Sequence, residues 1–378
     1  MRYLLLTLCL LTVLSSYSQL ITDSLLIEGH YRSFHFNKPA KNPQGGTLMF
    51  VMHGSGGKGL DMMPRTTKLE SVSGNENLLI VYPNGYHRYW NECRKFATSD
   101  ANKENINENA FFKAMIGYFH TRYGIDEKRV VAAGMSGGGH MAYKLALTMP
   151  DQVKAIAAVV ANMPDSASCD CSYASKPLPV LIVNGTEDNT NPYNGGEMFV
   201  NNASYGVVRS TEGTFAYWSS LAGYNTAPSK KLLPDTDPAD KKTIERYSFD
   251  EDGKPAVTLL KVIGGKHDYP NDIDTYLYIW EFFKAALQKQ RISTPNASKK
   301  IQIVETACGE CQFGLAGHSC DLAVRIKGKS YFVEGTDIDS HGDAHAKDGF
   351  CNAIRKAEVQ GEVKGDRFVV SYFKLLKQ

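Results

Sequence analysis

The 378-residue sequence lacks several features that would point to particular classes of protein. It contains no block of basic residues, because 42 lysines and arginines are mixed along the chain with 40 aspartates and glutamates. A surface that follows a phosphate backbone is therefore not indicated, and we expect no nucleic-acid partner. Beyond the N-terminal segment the sequence has no apolar run long enough to span a bilayer, so we expect no membrane insertion. It also lacks low-complexity segments and internal repeats.

Residues 1–18 have the pattern of a cleavable signal peptide. Arg2 precedes an apolar run over residues 4–14, and small residues follow at Ser16 and Ser18, the spacing that a signal peptidase requires. The run is too short for a membrane anchor. We therefore expect an exported protein, periplasmic or secreted, whose mature chain begins after Ser18.

Over residues 19–288, apolar runs of strand length alternate with helical patterns. This alternation predicts an α/β domain with a mostly parallel sheet and helices on both faces. Apolar residues at helical spacing predict three helices. One spans residues 107–124, one begins directly after the glycines that follow Ser136, and one spans residues 274–287. The clearest strand-like runs span residues 47–52, 78–83, 129–133, 155–161, 179–185 and 257–263.

The sequence changes character after this domain. Residues 289–300 are polar, include a proline and show no apolar period, which indicates a linker. Residues 301–378 contain alternating apolar residues, glycine-containing turns and several cysteines. We interpret them as a small β-rich domain with one short helix near residues 349–357.

Two glycine clusters follow predicted strands, and the first contains a dinucleotide-binding pattern. Gly54, Gly56 and Gly59 match G-x-G-x-x-G. That fingerprint also requires a helix at its last glycine and an acidic residue at the end of the next strand. Pro64 interrupts the expected helix and the next strand ends without an acid, so the pattern does not favour a dinucleotide site.

The second cluster matches G-x-S-x-G around Ser136, between a predicted strand and a predicted helix. In this arrangement a sharp turn lifts the serine hydroxyl above the sheet, and glycines at Gly134 and Gly138 prevent steric collisions. The segment lacks the Gly-Lys-Ser/Thr ending of a phosphate loop. An ordinary glycine-rich turn is the alternative interpretation.

Candidate partners for Ser136 follow two later strands. A serine becomes a good nucleophile when a histidine takes its proton and a carboxylate orients that histidine, and in this fold the chain order is serine, acid, histidine. Glu187 and Asp188 follow one predicted strand, and His267 follows another. Position alone does not separate the two acids.

Backbone amides next to these residues predict an oxyanion hole. The N–H of Gly137, directly after the candidate nucleophile, supplies one donor, and the N–H of Ser55 or Gly56 supplies the other. His53 is expected to shape the loop that carries Ser55. We expect His140, just inside the helix, to pack or to contact solvent.

With these residues identified, the first 290 positions resemble the secreted α/β-hydrolase esterases related to poly(3-hydroxybutyrate) depolymerases and to feruloyl and acetylxylan esterases. The resemblance includes the segments HGSGG, VYPNGYHRYWN, GMSGGGHMAYKLA, NGTED and GGKHDYP. It implies that Ser136 is the nucleophile, His267 the base and Asp188 the acid, which favours Asp188 over its neighbour. Trp90, Asn91 and Tyr193 are candidates for the wall of the substrate pocket.

The resemblance implies an exported serine esterase that forms an acyl-enzyme and needs no cofactor. Its expected substrates are acyl groups linked to polysaccharide, feruloyl or acetyl, or related and possibly polymeric esters. A triad does not specify its leaving group, so a polyester depolymerase or a serine peptidase on the same fold is an alternative. A non-catalytic substrate-binding protein is the alternative of another class.

The C-terminal segment carries four cysteines, Cys308, Cys311, Cys320 and Cys351, with His318, His341 and His345 nearby. In an exported protein disulfides are the default interpretation. A structural zinc site and a redox-active pair are the alternatives, and the pattern alone assigns no metal. The segment resembles a small domain family catalogued without a known function, which leaves the choice open.

The larger domain has three cysteines, Cys93, Cys169 and Cys171. Because this number is odd, at least one thiol stays free or pairs outside the domain.

Overall fold

The computed structural model describes residues 19–172, 176–200, 202–251, 253–293, 295–317 and 319–376. The predicted signal peptide at residues 1–18 and the candidate ligand His318 lie outside these ranges. Within them, no helix combines the length and the apolar character needed to cross a membrane.

The larger domain is an α/β fold built on a ten-stranded sheet. The strands of this domain are β1 (Leu20–Ile27), β2 (His30–Asn37), β3 (Thr47–Met52), β4 (Leu78–Pro83), β5 (Val130–Met135), β6 (Val153–Val159), β7 (Val180–Gly185), β8 (Gly196–Val200), β9 (Ala203–Val208), β10 (Ser229–Leu232), β11 (Thr243–Phe249) and β12 (Val257–Ile263). The sheet order is β1-β2-β4-β3-β5-β6-β7-β12-β11-β10, and β8 and β9 form a separate hairpin. The strands from β4 to β12 in this order are parallel, and two antiparallel strands lie at each edge.

Helices cover both faces of the sheet, as the alternating pattern predicts. They are α1 (Thr67–Ser73), α2 (Asp100–Lys103), α3 (Glu108–Tyr123), α4 (Gly137–Thr148), α5 (Thr211–Leu221) and α6 (Thr275–Ser293). Buried residues of α3, α4 and α5 pack on one face, and those of α1 and α6 pack on the other. The parallel strands are buried on both sides, which explains why they appear in the sequence as continuous apolar runs.

Helix α3 shows how local sequence sets the ends of an element. The Asn107 side chain accepts a hydrogen bond of 3.0 Å from the Ala110 N–H, one of the first-turn donors without a helical partner. At the other end Gly124 adopts φ 68°, the left-handed conformation that glycine favours at a helix C-terminus. The predicted range 107–124 therefore corresponds to the helix together with its two caps.

The smaller domain is a closed five-stranded barrel. Its strands are β13 (Gln302–Cys308), β14 (Leu322–Ile326), β15 (Lys329–Glu334), β16 (Arg355–Lys364) and β17 (Arg367–Leu375), in the order β13-β14-β15-β17-β16. The short helix predicted near residues 349–357 does not form, because residues 349–353 make turns and Arg355 already begins β16. The N–H of Cys351 donates to the Ala344 carbonyl, a contact that fixes these turns.

Helix α6 continues into the segment that the sequence indicates as a linker. The predicted helix ends at residue 287 and the predicted linker spans residues 289–300, but α6 extends to Ser293. The Gln288 amide donates to the Gly335 carbonyl at 2.6 Å, and Ile292 is buried in the apolar cluster of the barrel. These tertiary contacts stabilise a last helical stretch whose own sequence is polar.

The cysteines of the two domains differ in bonding. Cys93 and Cys171 form a disulfide, while Cys169 is free, as the odd number requires. In the barrel Cys308, Cys311, Cys320 and Cys351 are all free. The default interpretation of disulfides among these four does not hold in the structure.

Candidate active site

Ser136 occupies a strained turn between β5 and α4. Its backbone adopts φ 53° and ψ −118°, a conformation that costs free energy for any residue with a side chain. The Ser136 N–H donates to the Val159 carbonyl of the adjacent strand at 2.8 Å, which holds the turn in place. The geometry is that of a strand–turn–helix elbow that exposes a serine hydroxyl.

The glycines around Ser136 are required by close backbone packing. A Cβ on Gly134 would lie 2.3 Å from the Gly138 carbonyl, and one on Gly138 would lie 2.3 Å from the Met52 oxygen. A Cβ on Gly139 would lie 2.7 Å from the Ala161 Cβ. Side chains at these positions would push α4 away from β3 and β6, so the elbow depends on all three glycines.

The structure brings Ser136, Asp188 and His267 together. His267 Nδ1 lies 2.8 Å from Asp188 Oδ2, and its Nε2 lies 2.9 Å from Ser136 Oγ. These residues follow β5, β7 and β12, and these strands run parallel with only β6 between the first two. Parallel strands end at the same edge of a sheet, so residues 131 positions apart in sequence meet there.

Asp188 and Glu187 have different surroundings although they are adjacent. Asp188 is 4% exposed, and its Oδ1 accepts hydrogen bonds of 2.8 Å from the N–H groups of Thr190 and Asn191. Its Oδ2 remains directed at His267. Glu187 is exposed. Only Asp188 therefore has the fixed orientation that would hold an imidazole.

The loops that carry Asp188 and His267 are tied to one another. The Glu187 N–H donates to the Gly265 carbonyl at 2.8 Å, and a Cβ on Gly185 would lie 2.3 Å from that same oxygen. Glycine at position 185 lets the two loops approach closely enough for the contact between imidazole and carboxylate. The His267 side chain is 23% exposed, so the contact remains accessible from solvent.

The loop after β3 lies directly against Ser136. A Cβ on Gly54 would be 3.4 Å from the Ser136 Cβ, and one on Gly137 would be 2.9 Å from the Ser55 nitrogen. The Ser55 and Gly137 amides are therefore neighbours beside the hydroxyl. Gly137 is the first residue of α4, where N–H groups have no partner within the helix. Two backbone donors can thus face one anionic oxygen.

Hydrogen bonds of the His53 side chain hold this loop in place. Its Nδ1–H donates to the Gly54 carbonyl at 2.7 Å, and its Nε2 accepts from the Gly85 N–H at 2.9 Å. Burial lowers the pKa of His53 to about 4, so the ring is neutral and can make both contacts. The Trp90 indole N–H donates to the His53 carbonyl at 2.9 Å.

The three predicted pocket residues are buried and hydrogen-bonded to neighbouring groups, and their role as substrate contacts stays a prediction. Trp90, Asn91 and Tyr193 are 2%, 7% and 5% exposed. Asn91 donates to the Ile106 carbonyl at 2.9 Å, and the Tyr193 hydroxyl donates to Glu212 at 2.7 Å. The sequence does not show whether an aromatic or amide side chain on a loop is buried or exposed to solvent.

His140 lies behind Ser136 on the first turn of α4. It is 2% exposed, and among the described residues neither ring nitrogen has a hydrogen-bond partner. Burial lowers its pKa well below the usual value, and the nearby charges of Arg94 and His267 act in the same direction. Arg94 itself pairs with Glu92 at 2.6 Å, and both side chains are buried. His140 packs, as one of the two expectations states.

A buried amide network under Asp188 was not identified from the sequence. Asn184 donates to Asn162 Oδ1 at 2.8 Å and to the Thr211 hydroxyl at 3.0 Å. The Asn191 side chain accepts from the Asn162 N–H at 3.0 Å, next to its own backbone contact with Asp188. The available signal was Asn184 itself, a polar residue at the end of an otherwise apolar strand.

Two surface grooves of the larger domain are lined by residues other than Ser136, Asp188 and His267. The first, of about 550 Å³, is formed by residues 29–33, 57–58 and 84–88 and borders the loop that carries Ser55. The second, of about 400 Å³, lies between α5 and strands β11 and β12.

Comparisons with known proteins agree with this geometry. Residues 37–214 match the family described as Phospholipase/Carboxylesterase, and residues 302–376 match a family of unknown function, DUF6370. The chain is 24% identical over 240 residues to the protein named "Putative esterase NocK" of Nocardia uniformis subsp. tsuyamanensis, a match that covers 62% of this chain and 68% of that one. It is 25% identical over 254 residues to the protein named "Probable feruloyl esterase C" of Aspergillus clavatus, covering 63% of this chain and 77% of that one.

Among solved structures, the acetyl xylan esterase from Aspergillus awamori aligns with a TM-score of 0.47 and 15% identity, over 69% of this chain and 99% of that chain. The sheet order and the elbow at Ser136 are those of an α/β-hydrolase domain, and the two matching family models cover residues 37–214 of that domain and residues 302–376 of the barrel.

Proposed function

We propose that the chain is a serine carboxylic-ester hydrolase that works through an acyl-enzyme. Ser136 is the nucleophile, His267 the general base and acid, and Asp188 the residue that orients the imidazole. The observation that carries the proposal is the continuous pair of hydrogen bonds, 2.8 Å from Asp188 to His267 and 2.9 Å from His267 to Ser136. This is the arrangement that activates a serine hydroxyl.

In the first half-reaction, the Ser136 Oγ attacks the ester carbonyl carbon while its proton passes to His267 Nε2. The carbonyl oxygen becomes an anion that accepts hydrogen bonds from the amides of Gly137 and Ser55. When the tetrahedral intermediate collapses, the bond to the alcohol oxygen breaks and His267 returns the proton to that oxygen. Water then attacks the acyl-enzyme by the same route and releases the acid.

The proposed substrates are feruloyl or acetyl esters of polysaccharides or related esters. This substrate class comes from the family resemblance and from a relative named as a feruloyl esterase. Such esters present the acyl group on a larger molecule, and the groove of about 550 Å³ borders the loop that carries Ser55. The groove along residues 84–88 is the candidate region for the rest of such a molecule.

We also propose that the protein is exported to an oxidising compartment, periplasmic or extracellular. The disulfide between Cys93 and Cys171 supports this, because such bonds persist mainly outside the reducing cytosol. N-terminal sequencing of protein recovered outside the cytoplasm tests the proposed cleavage after Ser18. A retained N-terminus on exported protein would contradict the cleavage site.

The catalytic proposal is tested with Ser136→Ala, and Ser71→Ala is the matched control because Ser71 is an exposed helical serine. Both variants and the wild type are assayed on chromogenic acetyl, butyryl and feruloyl esters, on polyhydroxybutyrate and on a peptide amide. A triad nucleophile contributes a factor on the order of 10⁶ in kcat in a serine protease. We expect Ser136→Ala to lose ester hydrolysis and Ser71→Ala to keep it.

The outcome of the same panel separates the alternatives. Substantial ester hydrolysis by folded Ser136→Ala would show that another group is the nucleophile. Preferential cleavage of the polyester or of the amide would replace the proposed substrate class while retaining the triad. A folded wild type without activity on any member of the panel would favour the binding-protein alternative.

A further inference from the structure

The four cysteines of the barrel domain form one cluster. The Sγ atoms of Cys308, Cys311, Cys320 and Cys351 all lie within 4.8 Å of one another. They come from the end of β13, the turn after it, the turn before β14 and the segment before β16. None of the four is bonded to another sulfur, whereas Cys93 and Cys171 of the same chain form a disulfide.

The spacing of the sulfurs suits a single tetrahedral ion. Zinc binds thiolates at about 2.3 Å, which places the corners of a tetrahedron about 3.8 Å apart. Four sulfurs that all lie within 4.8 Å of one another are close to this arrangement. Two separate disulfides need only two close pairs, with sulfurs about 2.05 Å apart within each pair. The mutual closeness of all four atoms thus favours shared coordination.

Local packing builds the C-x-x-C turn at Cys308 and Cys311. The Cys311 N–H points at the Cys308 Sγ, 3.4 Å away, a contact that favours a sulfur carrying negative charge. Gly309, between them, is required because a Cβ there would lie 2.4 Å from the Phe332 ring. The turn is therefore held against the barrel core with its two sulfurs on the same side.

Further contacts connect this turn to the other ligands. The Gln312 side chain donates to the Cys351 carbonyl at 2.8 Å, which joins the C-x-x-C turn to the segment before β16. Cys308 is fully buried in the apolar cluster of the barrel, and Cys320 and Cys351 pack against that cluster. Cys311 is exposed, so an ion can reach the site from solvent.

Two other polar groups approach these sulfurs. Glu310 Oε2 lies 3.4 Å from the Cys308 Sγ and also accepts the Asp321 N–H at 3.0 Å. His345 Nε2 lies 4.0 Å from the Cys320 Sγ. Neither Glu310 nor His345 belongs to the group of four sulfurs. Each can contact one of the cysteine ligands without replacing it.

We propose that Cys308, Cys311, Cys320 and Cys351 bind one structural zinc ion. With four protein thiolates the coordination is complete, which is typical of a structural site rather than a catalytic one. The ion would join three segments that are distant in sequence and close one end of the barrel. The inference is independent of the proposed esterase, because none of its ligands lies in the hydrolase domain.

The test measures metal content of the full chain purified without added chelator. We expect about one zinc per chain in the wild type and a large loss in Cys311→Ser, the variant of an exposed ligand. Cys169→Ser is the matched control, since Cys169 is a free thiol of the other domain, and it should retain the zinc. Replacement of zinc by cobalt should produce the strong visible absorption of a tetrahedral thiolate site in the wild type and in Cys169→Ser, but not in Cys311→Ser.

Circular dichroism and the gel-filtration elution volume of each variant check that the full chain has folded, so loss of zinc is not confused with general unfolding. The measurements are repeated on protein exported to an oxidising compartment, where disulfides compete. Zinc retained there, with five titratable thiols after chelation, the four ligands and Cys169, supports the proposal. Peptide mapping that finds these cysteines paired, iron in place of zinc, or zinc retained by Cys311→Ser at the wild-type level would overturn it.

Discussion

At the scale of single residues, the contacts around Asp188 decide which of two adjacent acids can act on His267. Three acceptor contacts fix the Asp188 carboxylate: two backbone N–H groups on Oδ1 and the imidazole on Oδ2. The side chain of Glu187 points into solvent without such a framework. Because Asp188 is buried and Glu187 is exposed, substitutions at these two positions should have different effects. A variant of Glu187 can therefore serve as the control for a variant of Asp188.

We predict that Asp188→Asn lowers kcat by a factor on the order of 10⁴, because the amide stabilises the wrong imidazole tautomer. Glu187→Gln, which makes the same chemical change one residue away, should leave kcat near the wild-type value. The measurement is steady-state hydrolysis of a chromogenic acetate. Equal losses in both variants would mean that the loop, rather than the Asp188 carboxylate, is responsible.

Buried neutral imidazoles give the molecule a defined response to acid. Burial lowers the pKa of His140 well below its usual value, while an unfolded chain has an ordinary pKa near 6.5. Between these two pKa values the unfolded state binds more protons, so the free energy of unfolding falls as the pH falls below about 6.5. Above that pH the contribution is constant.

We predict that His140→Leu flattens this dependence. One titrating group contributes a slope of at most about 1.4 kcal/mol per pH unit, and the variant should lose that slope. Leucine is suitable because His140 makes no hydrogen bond within the described residues. The measurement is the denaturation midpoint of wild type and variant between about pH 5 and 7.5, the range below and above the ordinary histidine pKa. Parallel profiles would show that His140 does not titrate on unfolding.

The residue scale also shows where sequence reasoning stops. Ser136, His267 and an acid at Glu187 or Asp188 could be proposed because each follows a strand in the order that one fold requires, and the family resemblance favoured Asp188. Trp90 and Tyr193 stay predictions as pocket residues, because an aromatic residue on a loop has the same sequence pattern whether it lines a pocket or supports it. Only the three-dimensional packing distinguishes the two.

At the scale of elements, the β5–turn–α4 unit concentrates the steric demands of the site. The ends of the strand and the helix touch through backbone atoms, since a Cβ on Gly134 would meet the Gly138 carbonyl at 2.3 Å. By contrast, a Cβ on Gly117 in α3 would meet nothing within 4 Å. Substitution by alanine is therefore expected to have opposite effects at Gly134 and at Gly117.

We predict that Gly134→Ala destabilises the chain by about 1–3 kcal/mol, the usual cost of overpacking, and greatly reduces kcat/KM because the elbow shifts. Gly117→Ala should stabilise by about 0.5–1 kcal/mol through helix propensity, without an effect on activity. Chemical denaturation and ester hydrolysis measure both quantities. A harmless Gly134→Ala would show that the elbow has room to relax.

Central strands are easier to predict from the sequence than edge strands. Strands β3, β4 and β12 coincide with predicted apolar runs, and β5, β6 and β7 differ only at their ends, because burial on both faces leaves no polar alternation. The edge strands β1 and β10 carry exposed residues and were not identified individually. Edges do not determine where the candidate triad lies, so the site could be predicted without them.

At the scale of the whole molecule, helix α6 belongs to both domains. Its apolar residues Tyr276, Ile279, Trp280 and Phe283 pack on the sheet, while its C-terminal end packs against β17 of the barrel. The sequence indicated a linker because residues 289–300 are polar and show no apolar period. The contacts of Gln288 and of the buried Ile292 with the barrel accompany the extension of the helix to Ser293.

We predict that Ile292→Ala loosens the barrel, because removal of a buried isoleucine side chain costs about 2–5 kcal/mol. Ile303→Ala is the matched control, since Ile303 lies on β13 with 65% of its surface exposed, and it should change stability by less than about 0.5 kcal/mol. Hydrogen exchange measured by mass spectrometry should show faster exchange in β17 for Ile292→Ala, because local opening follows local stability. If both variants exchange like the wild type, the barrel is stable without α6, and the contact at Ile292 fixes only how the two domains are joined.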